Sequence, residues 1–167
     1  MIDRHYLDDT LVQLRKLKTQ ADKAIAQIDE SQFFAMLDPD ANSIALIAKH
    51  VAGNMRSRWT DFLTTDGEKP DRARDTEFEL GASDTRDAIL ARWEEGWALL
   101  FAAISSLQPG DLERTVTIRD EPFTVVQAIH RQVSHYASHV GQIVLLAKHF
   151  AGPAWKTLSI PKKKTGE

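Results

Sequence analysis

His135 and His139 stand one helical turn apart in the stretch Arg131-Gln132-Val133-Ser134-His135-Tyr136-Ala137-Ser138-His139-Val140-Gly141-Gln142. Imidazoles at i and i+4 project from one face of a helix. Each can give a nitrogen to one divalent ion, and a third ligand can come from a neighbouring helix. The chain holds six histidines, so helical phase must sort the other four. At about 100° per residue, His130 lies about 140° from His135 and about 180° from His139, and so faces elsewhere. His149 is closer in angle but roughly 15 Å farther along the axis than His139. His5 sits near the start of the chain. His50, in Ala48-Lys49-His50-Val51-Ala52-Gly53-Asn54, remains as the interior third histidine. The competing reading makes the pair core histidines bonded to backbone or to each other. Buried neutral imidazoles are costly unless each polar nitrogen finds a partner, and a shared ion satisfies them together.

Polar neighbours extend the candidate site. Asn54 follows His50 by four positions and Gln142 follows His139 by three, so each lies on its histidine's side of the helix. Either could support a ligand or contact a substrate; the alternative is an ordinary amide hydrogen bond. Arg58 and Arg131 suit an anionic substrate, against the alternative of a solvated surface arginine. Trp93 and Trp97 could wall a pocket, but paired aromatics on an apolar stripe usually belong to the core. Tyr6 and Tyr136 are weaker candidates as proton donors. No catalytic residue is assigned. The position that would hold the general base of an HExxH protease is not Glu, and there is no Gly-rich phosphate loop, dinucleotide fingerprint or GxSxG. The paired Glu-x-x-His motifs of a di-iron bundle are also missing. Glu94 and Glu95 read as solvent-facing.

With no cysteine, any metal must rely on nitrogen and oxygen ligands, and a thiol nucleophile would have to be borrowed. A formal charge of −3 excludes the basic footprint of a general nucleic-acid binder; the single basic run is Lys162-Lys163-Lys164. The N-terminal residues lack the apolar stretch of a signal peptide, and no apolar run approaches a membrane span, so a cytoplasmic protein with no membrane association is expected. At 167 residues, 43% of them hydrophobic, the chain can bury one substantial core.

Four helical patterns must position these residues. The first runs from about Arg4 to Ile28, with Leu7, Leu11, Leu14, Ala21, Ile25 and Ile28 on one face and Lys16, Lys18, Asp22 and Lys23 mostly on the other. Asn42 or Ser43 caps the second, about Ile44 to Leu63, where Ile47, Val51, Met55, Arg58 and Phe62 form a stripe beside His50 and Asn54. Thr64 to Ala82 is polar and weakly periodic, which reads as a long crossover. The third starts at Ser83 or Asp84 and carries Ile89, Trp93, Trp97, Leu100 and Ile104. Thr115–Ile118 and Pro122–Val125, flanking Arg119-Asp120-Glu121, predict a short hairpin. The fourth covers about Val125 to Phe150 and stops before Gly152-Pro153. The expected fold is all-α, a four-helix bundle over residues 1–152 followed by a C-terminal tail, 153–167.

Together, a bundle with a long crossover, one histidine in its second helix and HxxxH in its fourth resembles the DinB/YfiT-like metalloenzyme superfamily. The stretches Gly53-Asn54, Asp66-Gly67-Glu68-Lys69 and His135-Tyr136-Ala137-Ser138-His139-Val140-Gly141-Gln142 resemble a bacterial branch known only as a domain of unknown function. The resemblance covers nearly the whole chain. It implies an up-down-down-up bundle, a homodimer, and His50, His135 and His139 as ligands of one divalent ion such as zinc, nickel, iron or manganese. Characterised relatives use a divalent ion, and several act with a low-molecular-weight thiol as transferases or isomerases on small molecules. The alternatives are a metal-dependent hydrolase of small molecules, in which the ion would activate water, and a non-enzymatic stress or interaction protein stabilised by its metal.

Overall fold

The computed structural model describes residues 2–160. It is mainly helical, with α1 (Ile2–Ile25), α2 (Glu30–Phe34), α3 (Ile44–Trp59), α4 (Arg86–Ser106) and α5 (Val125–Ala151). An antiparallel hairpin, β1 (Thr115–Ile118) and β2 (Glu121–Thr124), precedes α5, with Thr115 opposite Thr124 and Ile118 opposite Glu121. The four long helices form a closed ring of contacts: α3 packs most heavily on α4, α1 on α5, and the pairs α3–α5 and α1–α4 complete it. The predicted stripes line the interior, where Trp93, Trp97, Tyr136, Leu7, Leu14, Met55, Ile89, Leu100 and Ile104 are fully buried. Apolar residues at helical spacing leave water together, and that burial is the main force holding the helices to one another.

Several boundaries differ from the periodic reading, each for a local reason. The first helix stops at Ile25, because the Arg86 guanidinium donates to the carbonyls of Ile25 and Ile28 and so caps it from α4. Asp29 then opens α2, an element the periodicity does not reveal, through a reciprocal capping box with Gln32. The α3 helix is capped by Ser43 and ends at Trp59 rather than Leu63; Asp61 beyond it adopts a positive φ of 48°. The α4 cap is Thr85, not Ser83 or Asp84, since the Asp84 carboxylate is held by Lys49, Arg92 and the Gly81 amide. On α1, Lys18 and Asp22 are partly covered: they pair with each other, and Asp22 accepts from the Trp93 indole at 3.0 Å.

Just beyond α5 the described residues pack against the core and the turn that follows α1. Trp155 rests on the core, and the Lys156 backbone exchanges two hydrogen bonds with the Gln27 side chain. The lysine run 162–164 lies outside the described residues. Among the described residues no helix is long and apolar enough to cross a membrane.

The crossover between α3 and α4 is strapped at three points. Ser57, buried on α3, donates to the Gly67 carbonyl at 3.0 Å and accepts from the Lys69 amide at 2.9 Å. Gly67 in turn donates to the Thr117 carbonyl of β1. Asp66 receives the amides of Glu68, Arg119 and Asp120, the last two forming the hairpin turn with φ of 56° and 61°. Burial acts to raise the Asp66 pKa, but these amide bonds outweigh it and hold the carboxyl at about 2. A single 3-10 turn, Arg74–Phe78, then carries Glu77 to the face of α3.

Candidate metal centre

Two helices bring the three histidines together. On α3, Ile47, Val51 and Met55 are buried, which directs His50 inward beside them. On α5, Tyr136, Val140 and Ile143 are buried, and His135 and His139 border that face half-buried. The Nε2 atoms converge: His50 to His135 is 3.3 Å, and His135 to His139 is 3.1 Å. Three nitrogens bonded at about 2.05 Å to one tetrahedral ion would stand about 3.3 Å apart. The three histidines therefore lie close enough to hold a metal ion.

Their outer nitrogens set which tautomer faces inward. His50 Nδ1 lies 2.8 Å from Glu77 Oε2, and an ionised carboxylate only accepts, so Nδ1 carries the proton and Nε2 presents its lone pair. His139 Nδ1 meets Gln142 Oε1 at 2.9 Å, with the same consequence. His135 Nδ1 is buried without a partner. A neutral His135 can offer at most one Nε2–H to the two lone pairs aimed at it, so the arrangement leaves hydrogen-bonding capacity unmet, whereas a cation accepts all three donors. The donor set fits a divalent ion.

Glu77 is itself held in place. Arg72 grips it with two bonds of 2.8 Å and spends its third nitrogen on Glu68. Burial works to raise the Glu77 pKa, but the bonds from His50 and Arg72 outweigh it and keep the carboxyl below its usual range. The carboxylate fits because α3 has glycine at position 53, where a Cβ would collide with it. His50 also stacks on Phe78, 4.7 Å between ring centres. Burial, reinforced by the other imidazoles and nearby arginines, pushes His135 down to about 3, and His139 is lowered chiefly by burial. Both shifts favour the neutral imidazole, the form in which a histidine can ligate a metal.

The remaining candidates fall into different places. Asn54 is buried and accepts from the Tyr136 hydroxyl at 2.9 Å, which in turn accepts from the Trp59 indole at 3.0 Å. Burial raises the Tyr136 pKa, so it serves as a neutral hydroxyl in the core. Gln142 is exposed and orients His139. Arg58 is not a solvated surface residue: it is 3% exposed, and burial lowers its pKa. Arg131 is exposed, with its guanidinium over the Phe123 ring. Trp93 and Trp97 are core, while Glu94 and Glu95 are exposed. His130 lies on the surface against Tyr6, and His5 and His149 are exposed. Sequence reasoning missed Glu77, Arg72 and the buried Gln132. The crossover residues carry no periodicity that would mark them, and only their approach to α3 reveals their role.

A cavity of about 390 Å³ adjoins two of the three histidines, lined by His50, His135, Asn54, Arg58 and Gln132 among others. A larger one, about 480 Å³, lies between the crossover and α4; Glu77 and Arg72 face it but none of the three histidines does. Of these two cavities, only the smaller is lined by any of the three histidines.

Comparison with known proteins gives the fold company and leaves the activity open. The crystal structure of a conserved protein from Enterococcus faecalis superposes with a TM-score of 0.65 over 87% of this chain and 96% of that one, at 14% identity. No curated protein matches. A family model described as "Protein of unknown function (DUF1572)" matches residues 1–164. The chain belongs to that family of unknown function.

Proposed function

We propose that this protein is a DinB-like metalloprotein that binds one divalent ion through the Nε2 atoms of His50, His135 and His139. The single observation that carries the reading is the convergence of those nitrogens at 3.1 and 3.3 Å, with two outer nitrogens already committed to acceptors. The closed ring of helix contacts and the long crossover support the up-down-down-up bundle of that superfamily. A divalent ion held there would supply a Lewis acid able to lower the pKa of a thiol or a water near neutral pH.

The chain's own residues favour an open site over a closed structural one. A structural site would be saturated by a fourth protein ligand. Here the nearby carboxylate, Glu77, is occupied by His50 Nδ1 and Arg72, and a cavity adjoins His50 and His135. That leaves room for a small-molecule substrate, and in the transferase reading a low-molecular-weight thiol is the cosubstrate. Hydrolysis without thiol is the rival that the same cavity accommodates. A homodimer is part of the proposal, and sedimentation measures it directly.

Elemental analysis of tag-free protein prepared without chelator should find close to one divalent metal per chain, and His139→Ala should lose most of it. Wild type carrying no metal would end the reading. An electrophile conjugated only when thiol is present supports transfer; turnover of esters or amides without thiol supports hydrolysis instead.

A further inference from the structure

Arg58 is a buried cation without an adequate counter-charge. Its side chain is 4% exposed, and its Nε and Nη1 are buried with no hydrogen-bond partner. The nearest carboxylate oxygen, Glu68 Oε2, is 3.8 Å from Nη2 and lies closer to Arg72, at 3.1 Å, and Arg119, at 3.3 Å. An uncompensated buried charge is strongly destabilising, so a fold that keeps one must gain something by it. Arg58 lines the cavity shared by His50 and His135. The same cavity is bordered by Arg72, Arg74, Arg119 and Arg131, and no carboxylate lines it. Of these, Arg131 has no carboxylate partner among the described residues, and Glu77 is already divided between Arg72 and His50. The wall also holds a buried acceptor, the Gln132 Oε1 atom, which likewise has no partner.

We propose that this cavity receives the oxyanion of a substrate, a carboxylate or a phosphate, with Arg58 as its buried counter-charge, Arg131 as the exposed cation at its rim, and Gln132 accepting from a neighbouring hydroxyl or amine of the same molecule. Guanidinium groups suit this task because they present several donors in a plane that matches an oxyanion. The substrate class is therefore a small, negatively charged molecule whose reactive end lies toward the histidines. That last placement rests on the metal-centre reading; the oxyanion site itself does not require the ion.

The test uses full-length protein with its metal removed and the removal verified, titrated with sodium phosphate and separately with succinate at constant ionic strength. Binding is followed by calorimetry and by melting temperature. Millimolar or tighter binding is expected, weakened at least tenfold by Arg58→Gln and at least threefold by Arg131→Gln. Arg56→Gln, which lines the other cavity, should leave it unchanged. Arg58→Met should melt no lower than wild type without anion and should lose the anion-linked rise. If Arg58 variants do not fold, Arg131→Gln decides. Binding of phosphate alone identifies a phosphoryl-bearing ligand, and binding of both anions a general oxyanion site. No binding at about 20 mM, where a site of millimolar affinity would be nearly saturated, or binding that ignores both Arg58→Gln and Arg131→Gln, overturns the proposal. Since the ion is absent throughout, a chain that holds metal but no oxyanion refutes this inference alone, and one that binds oxyanion but never metal refutes the metal centre alone.

Discussion

Glu77 does for His50 what a metal site asks of its surroundings: it fixes the tautomer and the ring orientation while staying off the inner nitrogen. Glu77→Gln should leave the fold intact and weaken metal binding about 10–100-fold, measured by competition with a chromogenic chelator. Gly53→Ala should do the same by a different route, since the new methyl group occupies the space of the carboxylate, and His50 would lose its partner without any change in the ligands themselves. Equal affinity in wild type and Gly53→Ala would show that Glu77 does not orient His50. Gln142→Ala should cost less, because an exposed amide is readily replaced by water at His139 Nδ1.

At the scale of elements, the crossover is a delivery arm, and Ser57 is its anchor. One hydroxyl on α3 satisfies a carbonyl and an amide of the loop, ten and twelve residues further on. Ser57→Ala should destabilise the protein by about 1–3 kcal/mol, because it leaves loop polar groups unpaired in a buried place. Denaturant unfolding should show a lower midpoint with an unchanged slope. Metal affinity should fall with it, as the arm that carries Arg72 and Glu77 loosens. Unaltered affinity in a destabilised Ser57→Ala would mean that Asp66 and the hairpin hold the arm unaided. The hairpin has its own part here: its turn is tied to Asp66, and it puts Arg119 beside Glu68 and the histidine cavity.

For the whole molecule, an ion that binds only the folded chain adds to stability by mass action, about 2.7 kcal/mol at one hundred times its Kd. For a domain of this size that is a rise of about 5–10 °C in Tm, which a scan with and without chelator measures. Without metal, acid should act early. The folded-state pKa of His135 is pushed down to about 3 and that of His139 is lowered, so below about pH 6.5 the unfolded chain binds protons that the folded chain refuses. Stability should therefore decline from pH 7 to pH 5, before the carboxylates contribute. Asp66 and Asp84, held at about 2, and the lowered Glu77 add losses of the same sign only as the pH falls through the ordinary carboxylate range. His135→Gln should flatten the pH 5–7 limb, and an unflattened limb would assign it to other groups.

What the chain determines by itself is what local geometry can carry. Apolar residues recurring at helical spacing define the long helices, and four residues of spacing put His135 and His139 on one face, because both follow from the pitch of a single helix. The Asp29-x-x-Gln32 cap of α2 was equally local and legible as a capping signature, although apolar periodicity passed over it. Arg58 stood on the apolar stripe of its helix, but its charge argued for the surface; in the fold it is buried, with Gly67 of the crossover against its guanidinium. Contacts across long chain separations belong to the tertiary structure. The approach of His50 to His135 spans 85 residues, and that of Glu77 to His50 spans 27 through a segment with no periodicity. Only the packing of α3 against α5, and the strapping of the crossover onto α3, brings those atoms together. The spacing put two histidines on one face and singled out His50 as the third; the folded core brought all three within reach of one ion, fixed partners for two of their outer nitrogens and set a cavity lined by arginines beside them.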